Sequence, residues 1–428
     1  MKASRLLVIF LIAGLLVTTA LGCSGGGKVS DNKGNGSNDK AASEPIKIGT
    51  LFPRSGNIAM LGEQAWRGAE IARQIVNEAG GVNGREIVFV DADAPNSQAA
   101  ATETERLISQ QGVKVIIGSL TSGNSLAASA VTERNGVVLW ETSGISDEIT
   151  SKGYKYLFRT CDRGSERGRQ AMRVIAEVIA PKLGVPVEQL RVAIVNEDSS
   201  YGEAQMGGAK EEAEKLGINI IAHESYSSSA TDLSAMVLRL KDAKPDVIFA
   251  VGYINDATLF WDQAKQYGLQ VKALIGGGAG YSDPQFGKVE GERADGVLAI
   301  DMPTNIGLDK YRLEENRQLA EKFRSMYLKQ FGGDKVPLSA EVGFMGTYVL
   351  LHDVLPKAGS DDPDKIVEAA KSIHIEETVM GWPVVFDETG QNVEAKPVAY
   401  QWKDQKTYLV WPSKWADKEV EDIPLPQQ

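Results

Sequence analysis

Residues 46–90 read IKIGTLF (46–52), PRSGNIAMLGEQ (53–64), AWRGAEIARQIVNEA (65–79), GGVNGRE (80–86) and IVFV (87–90), and this order decides the fold. A short apolar run is followed by a helical pattern with apolar residues recurring at three and four, then by a second apolar run. The same beat continues with a helix over 96–110, a strand over 113–117, a helix over 126–134 and a strand over 137–140. That alternation is expected of βαβ units, in which a parallel sheet carries helices on both faces. One α/β lobe is complete near residue 160. A second series then runs through a helix over 171–180, a strand over 192–195, a helix over 202–216, a strand over 219–223, a helix over 233–241, a strand over 247–251, a helix over 257–267 and a strand over 273–275. Two such sheets make a bilobed molecule, and ligands of open α/β sheets sit beyond the carboxyl ends of the strands. The strand exits at 51–62, 118–125, 141–149, 196–202, 252–256 and 276–284 are rich in Gly, Ser, Thr, Asn or Tyr.

Composition narrows the function. With 428 residues, 43% apolar and 24% charged, the chain is an ordinary globular one, long enough for two or three domains of about 100–200 residues. The net charge of −11 has the wrong sign for a sequence-independent nucleic-acid binder, so nucleic acid is excluded as a partner. Two cysteines and three histidines leave almost nothing for a zinc site or a disulfide framework.

The first 44 residues are an address and a tether. Lys2 and Arg5 precede an apolar run over 6–17, too short to span a bilayer at about 20 residues, which marks 1–22 as a signal peptide. Ala20-Leu-Gly-Cys23 resembles the bacterial lipobox, with Ala20 where Leu is usual, and so implies lipidation of Cys23. The alternative is an unmodified cysteine beside an ordinary cleavage site. Residues 23–44 are rich in Gly, Ser, Asn and Asp and lack the apolar surface to fold, which makes them a flexible tether reaching roughly 25 Å.

Catalytic constellations are missing. No G-x-S-x-G occurs, and no histidine lies in a strand-exit loop where a triad base would be needed. His223 ends a strand, His352 lies in a helical run and His374 follows one. Gly276-Gly-Gly-Ala-Gly-Tyr281 has tyrosine at the last glycine of the dinucleotide fingerprint, and no P-loop lysine follows any Gly-rich turn, so no cofactor is expected. Cys161 reads as a small buried residue. The strand exits offer hydroxyls, amides and aromatic faces, which suit binding rather than turnover.

Several pieces in order then match a known family: Ile46-Lys-Ile-Gly-Thr-Leu-Phe-Pro-Arg-Ser-Gly56, Asn77-Glu-Ala-Gly-Gly-Val-Asn-Gly84, Val115-Ile-Ile-Gly-Ser119, Phe158-Arg-Thr160, Tyr201-Gly-Glu203, Gly252-Tyr253 and Gly296-Val-Leu298. The chain resembles the type I periplasmic solute-binding proteins of branched-chain amino acid ABC importers, in lipoprotein form, from about residue 46 to 401. The resemblance implies an α/β fold of two Rossmann-like, doubly wound lobes joined by a three-crossover hinge. Lobe one would be 45–160 plus 304–385, and lobe two 161–303 plus 386–428. It further implies a monomeric, non-enzymatic, extracytoplasmic receptor that is lipid-anchored and passes a small solute to a membrane permease.

Site residues carried over by the resemblance are Ser122, Ser143 and Ile145 for a ligand carboxylate, with Tyr201 and Tyr253 closing from lobe two. Helix-cap and turn chemistry is the alternative for the serines. Three departures stand out. The acid that pairs an α-ammonium falls at Gly278, a usual threonine is Ile145, which leaves its amide, and the positions of a frequent cysteine pair are Ala94 and Thr121. Glu141 is the candidate replacement for the missing acid; the alternative is a salt bridge to Arg159 or Arg163. Arg163 itself could instead grip an anionic ligand or stand as a solvated hinge residue. With Gly278 lacking a side chain, amides, urea, or aliphatic and aromatic carboxylates compete with branched-chain amino acids as the ligand. A ligand sensor of the same fold, and an exported hydrolase using Asp91, Asp93 and Glu141, are the remaining alternatives.

Overall fold

The computed structural model describes residues 44–426. The signal peptide, Cys23 and the tether up to residue 43 lie outside the described residues. The first sheet holds β1 (Ile46–Phe52), β2 (Ile87–Asp93), β3 (Val115–Gly118), β4 (Val138–Glu141) and β5 (Leu157–Arg159), all parallel, in the order β2-β1-β3-β4-β5. The second sheet repeats that order with β6 (Arg191–Glu197), β7 (Asn219–Tyr226), β8 (Val247–Val251), β9 (Ala273–Gly277) and β10 (Leu298–Asp301) as β7-β6-β8-β9-β10, also parallel. Central strands such as β3 and β8 are buried along their whole length, as both faces of a parallel sheet must be. The C-terminal stretch, which the sequence pattern left unread, forms β11 (Val398–Lys403) and β12 (Lys406–Trp411). This hairpin adds antiparallel to β10.

Helices cover both faces. In the first lobe these are α1 (Ala59–Glu78), α2 (Ser97–Ser109) and α3 (Ser122–Asn135); in the second, α4 (Gly164–Val174), α5 (Ser200–Leu216), α6 (Ser234–Ala243) and α7 (Ile254–Gln266). The chain then returns to the first lobe for α8 (Glu314–Phe331), α9 (Leu338–Tyr348) and α10 (Pro363–Ser372). Each lobe has one helix pair in backbone contact, made possible by glycine. A Cβ on Gly68 of α1 would sit 1.9 Å from the Ala340 carbonyl oxygen of α9, and one on Gly168 of α4 would sit 1.9 Å from that of Gln205 in α5.

The chain crosses between the sheets three times: between β5 and α4, after β10, and between Asn392 and β11. The third crossing lies later than the expected boundary at 385/386. Phe386 packs edge-on against Trp140 and Phe158, at ring centroids of 5.4 and 5.2 Å, and Arg159 pairs with Gln391, so residues 386–392 belong to lobe one. Burying an aromatic ring in that three-ring cluster outweighs the sequence position of the segment.

Candidate functional site

The strand order 2-1-3-4-5, twice over, places a topological switch point at β1/β3 and another at β6/β8, where crevices open beyond the strand ends. The exits of both sheets line one cavity of about 150 Å³. Ile58, Leu61, Leu120, Ser143 and Ile145 line it from lobe one, together with Val336, Leu338 and Val342 beside α9; Arg167, Tyr201, Tyr253, Ser282 and Asp301 line it from lobe two. The volume lies below the about 300–1,000 Å³ typical of drug-sized ligands and suits a small solute.

The lobe-one wall is built by two buried charges that do not meet the cavity. Glu141, fully buried, accepts hydrogen bonds from the backbone N–H of Ser143 (2.8 Å), Gly144 (2.7 Å) and Ser119 (2.7 Å), and from Ser125 Oγ (2.6 Å). It thereby folds the β3 and β4 exit loops onto each other. Arg159, also fully buried, donates through Nη1 to the carbonyls of Gly144 (3.1 Å) and Ser146 (2.6 Å) and through Nε to Gln391. A trans peptide is planar, with C=O and N–H pointing opposite ways. Holding the Gly144 carbonyl toward Arg159 therefore turns the Ile145 N–H away from it, and among the described residues that N–H has no hydrogen-bond partner.

On lobe two, Ser199 caps the start of α5 by accepting from the Tyr201 N–H (3.2 Å), and Tyr201 stacks on Tyr253 at 4.7 Å with an interplanar angle of 26°. The Tyr201 hydroxyl donates to the Gly277 carbonyl (2.9 Å), and burial pushes its pKa up, so it stays a neutral donor. Arg167 forks onto Asp162 through Nε (2.8 Å) and Nη2 (3.1 Å), and its Nη1 reaches Asp301 (2.7 Å). Burial opposes the Arg167 charge, but the two aspartates outweigh it and hold the guanidinium protonated. Gly278, at φ +70°, is where this wall leaves no room: a Cβ there would lie 2.4 Å from Arg167 Nη1 and 2.6 Å from the Tyr201 hydroxyl.

Residues 45–407 match the model of the family described as "Periplasmic binding protein". The chain belongs to that family. Among its relatives is the Leu/Ile/Val-binding protein homolog 8 of Brucella abortus, 34% identical over 377 residues, covering 87% of this chain and 92% of the relative. A leucine binding protein from Thermotoga maritima superposes with a TM-score of 0.74 at 25% identity, over 85% of this chain and 97% of that one. A branched-chain amino acid transporter substrate binding protein from Streptococcus pneumoniae, in complex with isoleucine, gives 0.71 at 26% identity, over 86% and 100%. The two parallel-sheet lobes are those of periplasmic binding proteins of type I.

Within this periplasmic binding protein, the structure brings together Ser143, Ile145, Tyr201 and Tyr253 around the cleft, with Gly278 directly behind it. Ser122 stands one step back: it is buried and its Oγ accepts from the Ser146 N–H (3.0 Å), shaping the loop. Glu141 is the correction. It does not reach the cavity, and it bonds to neither Arg159 nor Arg163; Arg163 pairs with Asp387 at 3.2 Å. A carboxylate that close to several amides satisfies itself locally, which excludes the role of ammonium partner. Arg167 and Asp301 also line the cavity and were missed by the sequence reading, although an acid ending the apolar strand at 298–301 was a visible signal.

The hydrolase carboxylates do not converge. Asp91 accepts from Thr50, Trp66 and Arg54, and Asp93 accepts from the backbone of Arg54 and Ser55. Cys161 is buried, and burial pushes its thiol up, away from reactivity. His223 lies on β7, bonded to Asn196 and Lys210. His352 and His374 line a larger hollow of about 540 Å³ on lobe one, remote from the strand exits. Among the described residues no group of His, Cys, Asp and Glu is arranged to hold a metal, and no helix is long and apolar enough to cross a membrane.

Proposed function

We propose that this chain is the extracytoplasmic receptor of an ABC importer, capturing a small amphipathic carboxylic acid of the branched-chain amino acid class and delivering it to a membrane permease. The observation that carries this reading is the cavity at the strand exits, lined by both lobes. It pairs an unpartnered Ile145 N–H and the Ser143 hydroxyl with an apolar sleeve formed by Ile58, Leu61, Leu120, Val336, Leu338 and Val342. A carboxylate suits the amide and hydroxyl, and an alkyl chain suits the sleeve, at about 25 cal/mol per Å² buried. Capture proceeds by closure of the lobes around the ligand, driven by its extra affinity for the closed state. No bond is made or broken. Lipidation of Cys23 anchors the body, and the tether over 23–44 lets it dock on the permease.

A thermal-shift screen tests the reading, because a ligand bound only by the folded state raises the melting temperature. Leucine, isoleucine and valine are run beside small carboxylates, amides and urea. A rise confined to acids with an apolar tail supports it; a rise with urea or amides alone sinks it. Mass spectrometry of the membrane-extracted protein should find the mature chain starting at an acylated Cys23.

A further inference from the structure

The lobe-two wall has an unbalanced charge. Asp162, Glu197, Asp256, Asp283 and Asp301 are all buried there, and Arg167 is the only buried Arg or Lys of that lobe among the described residues. Asp162 takes the guanidinium fork, which leaves the Arg167 pair with no net charge and Asp301 as the excess carboxylate. Of the two Asp301 oxygens, Oδ1 accepts from Arg167 Nη1 and the Met302 N–H, while Oδ2 accepts only from Ser282 Oγ (2.5 Å). A carboxylate oxygen has about two acceptor positions, so Oδ2 retains one on a residue that lines the cavity. Burial raises the carboxyl pKa of Asp301 against the opposing pull of Arg167, and raises those of Asp256 and Asp283 in the same lobe. The lobe-one wall supplies no buried cation facing it. Arg159 faces away behind the Gly144 peptide and is matched by Glu141, and Lys335 is an exposed side chain of the lining. A buried charge of this kind is stabilised chiefly by a hydrogen-bonded partner of opposite sign.

We infer that the ligand carries a cationic amine, and that Asp301, positioned by Arg167 and Ser282, is the residue that takes it. This rests on the binding function proposed above. The acceptor for the amine comes from the end of β10, through the free position on Asp301 Oδ2, and not from position 278, where Arg167 Nη1 and the Tyr201 hydroxyl already fill the space. A second anionic group on the ligand is excluded by the same charge excess, so dicarboxylates do not bind.

Isothermal titration calorimetry on the full chain in detergent, with ligand pairs differing only in the amine, tests this: leucine against isocaproate, valine against isovalerate, phenylalanine against hydrocinnamate. The amine-bearing member of the bound pair should win by at least about 10-fold, and Asp301→Asn should weaken it by about 10- to 100-fold while leaving its deaminated twin within about threefold. Twins that bind as tightly as the amino acids overturn the inference and leave the receptor for small carboxylic acids standing. Silence from every pair overturns both. Should Asp301→Asn fail to fold, the wild-type pairs alone decide.

Discussion

The two walls of the cleft recognise by different means. Lobe one offers its polar contacts chiefly through main chain, beside apolar side chains: its charged residues, Glu141 and Arg159, stay behind the surface and set the direction of peptide groups. Lobe two meets it with side chains, a tyrosine pair and a guanidinium held between two aspartates. Under the proposed function, backbone donors would hold any carboxylate alike, so lobe one would set the class of ligand and the side chains of lobe two would select the member of that class.

The contrast is broken most severely at Arg167. Arg167→Met leaves Asp162 and Asp301 buried without their cation, and should cost about 3–5 kcal/mol of stability in denaturant unfolding. A loss under about 1 kcal/mol would mean that the aspartates are protonated in the fold. Glu141→Gln is the matching break in lobe one. An amide nitrogen would face N–H donors at Ser119 or at Ser143 and Gly144, for a loss of about 2–3 kcal/mol and weaker binding of every carboxylate, amine-bearing or not. A loss for only one ligand type would contradict main-chain recognition of the carboxylate.

The charge excess of lobe two should also be visible as a pH dependence. Burial pushes the Asp256 carboxyl up to about 6, while Tyr226 donates to it at 2.8 Å. The folded state therefore holds a proton that the unfolded state releases near pH 4. This contribution is complete below the unfolded value and is lost as pH rises from about 4 to 6, by about 3 kcal/mol. Asp256→Asn should flatten that part of the stability profile, and an unchanged profile would place the titration elsewhere.

Much of the fold was legible in the sequence because parallel strands buried on both faces are continuous apolar runs, as at 247–251, and segments of helical periodicity alternate with them. The hairpin at 398–411 was not, since Trp402, Tyr408 and Trp411 give no clear alternation and the strand pairs antiparallel with a sheet that is otherwise parallel. Ser143, Ile145, Tyr201 and Tyr253 were carried over from the family resemblance, and the structure places all four along the cavity. Glu141 was misjudged because a strand-exit acid looks alike whether it faces a ligand or the amides of its own loop. Only the peptide orientations around Ser143 and Gly144 distinguish the two, and these depend on Arg159, eighteen residues away in the chain. Arg167 escaped notice because its partner Asp301 lies on a strand that reaches it only through the fold.

The three chain crossings also set how the molecule can move. A body joined to its neighbour by one segment can tumble about it in every direction, and each direction is conformational freedom that capture must remove. Three segments crossing side by side leave essentially one swing, so most of that freedom is already gone before a solute arrives. Affinity in such a receptor is then governed by the contacts inside the cleft, with little of it consumed in finding the bound arrangement.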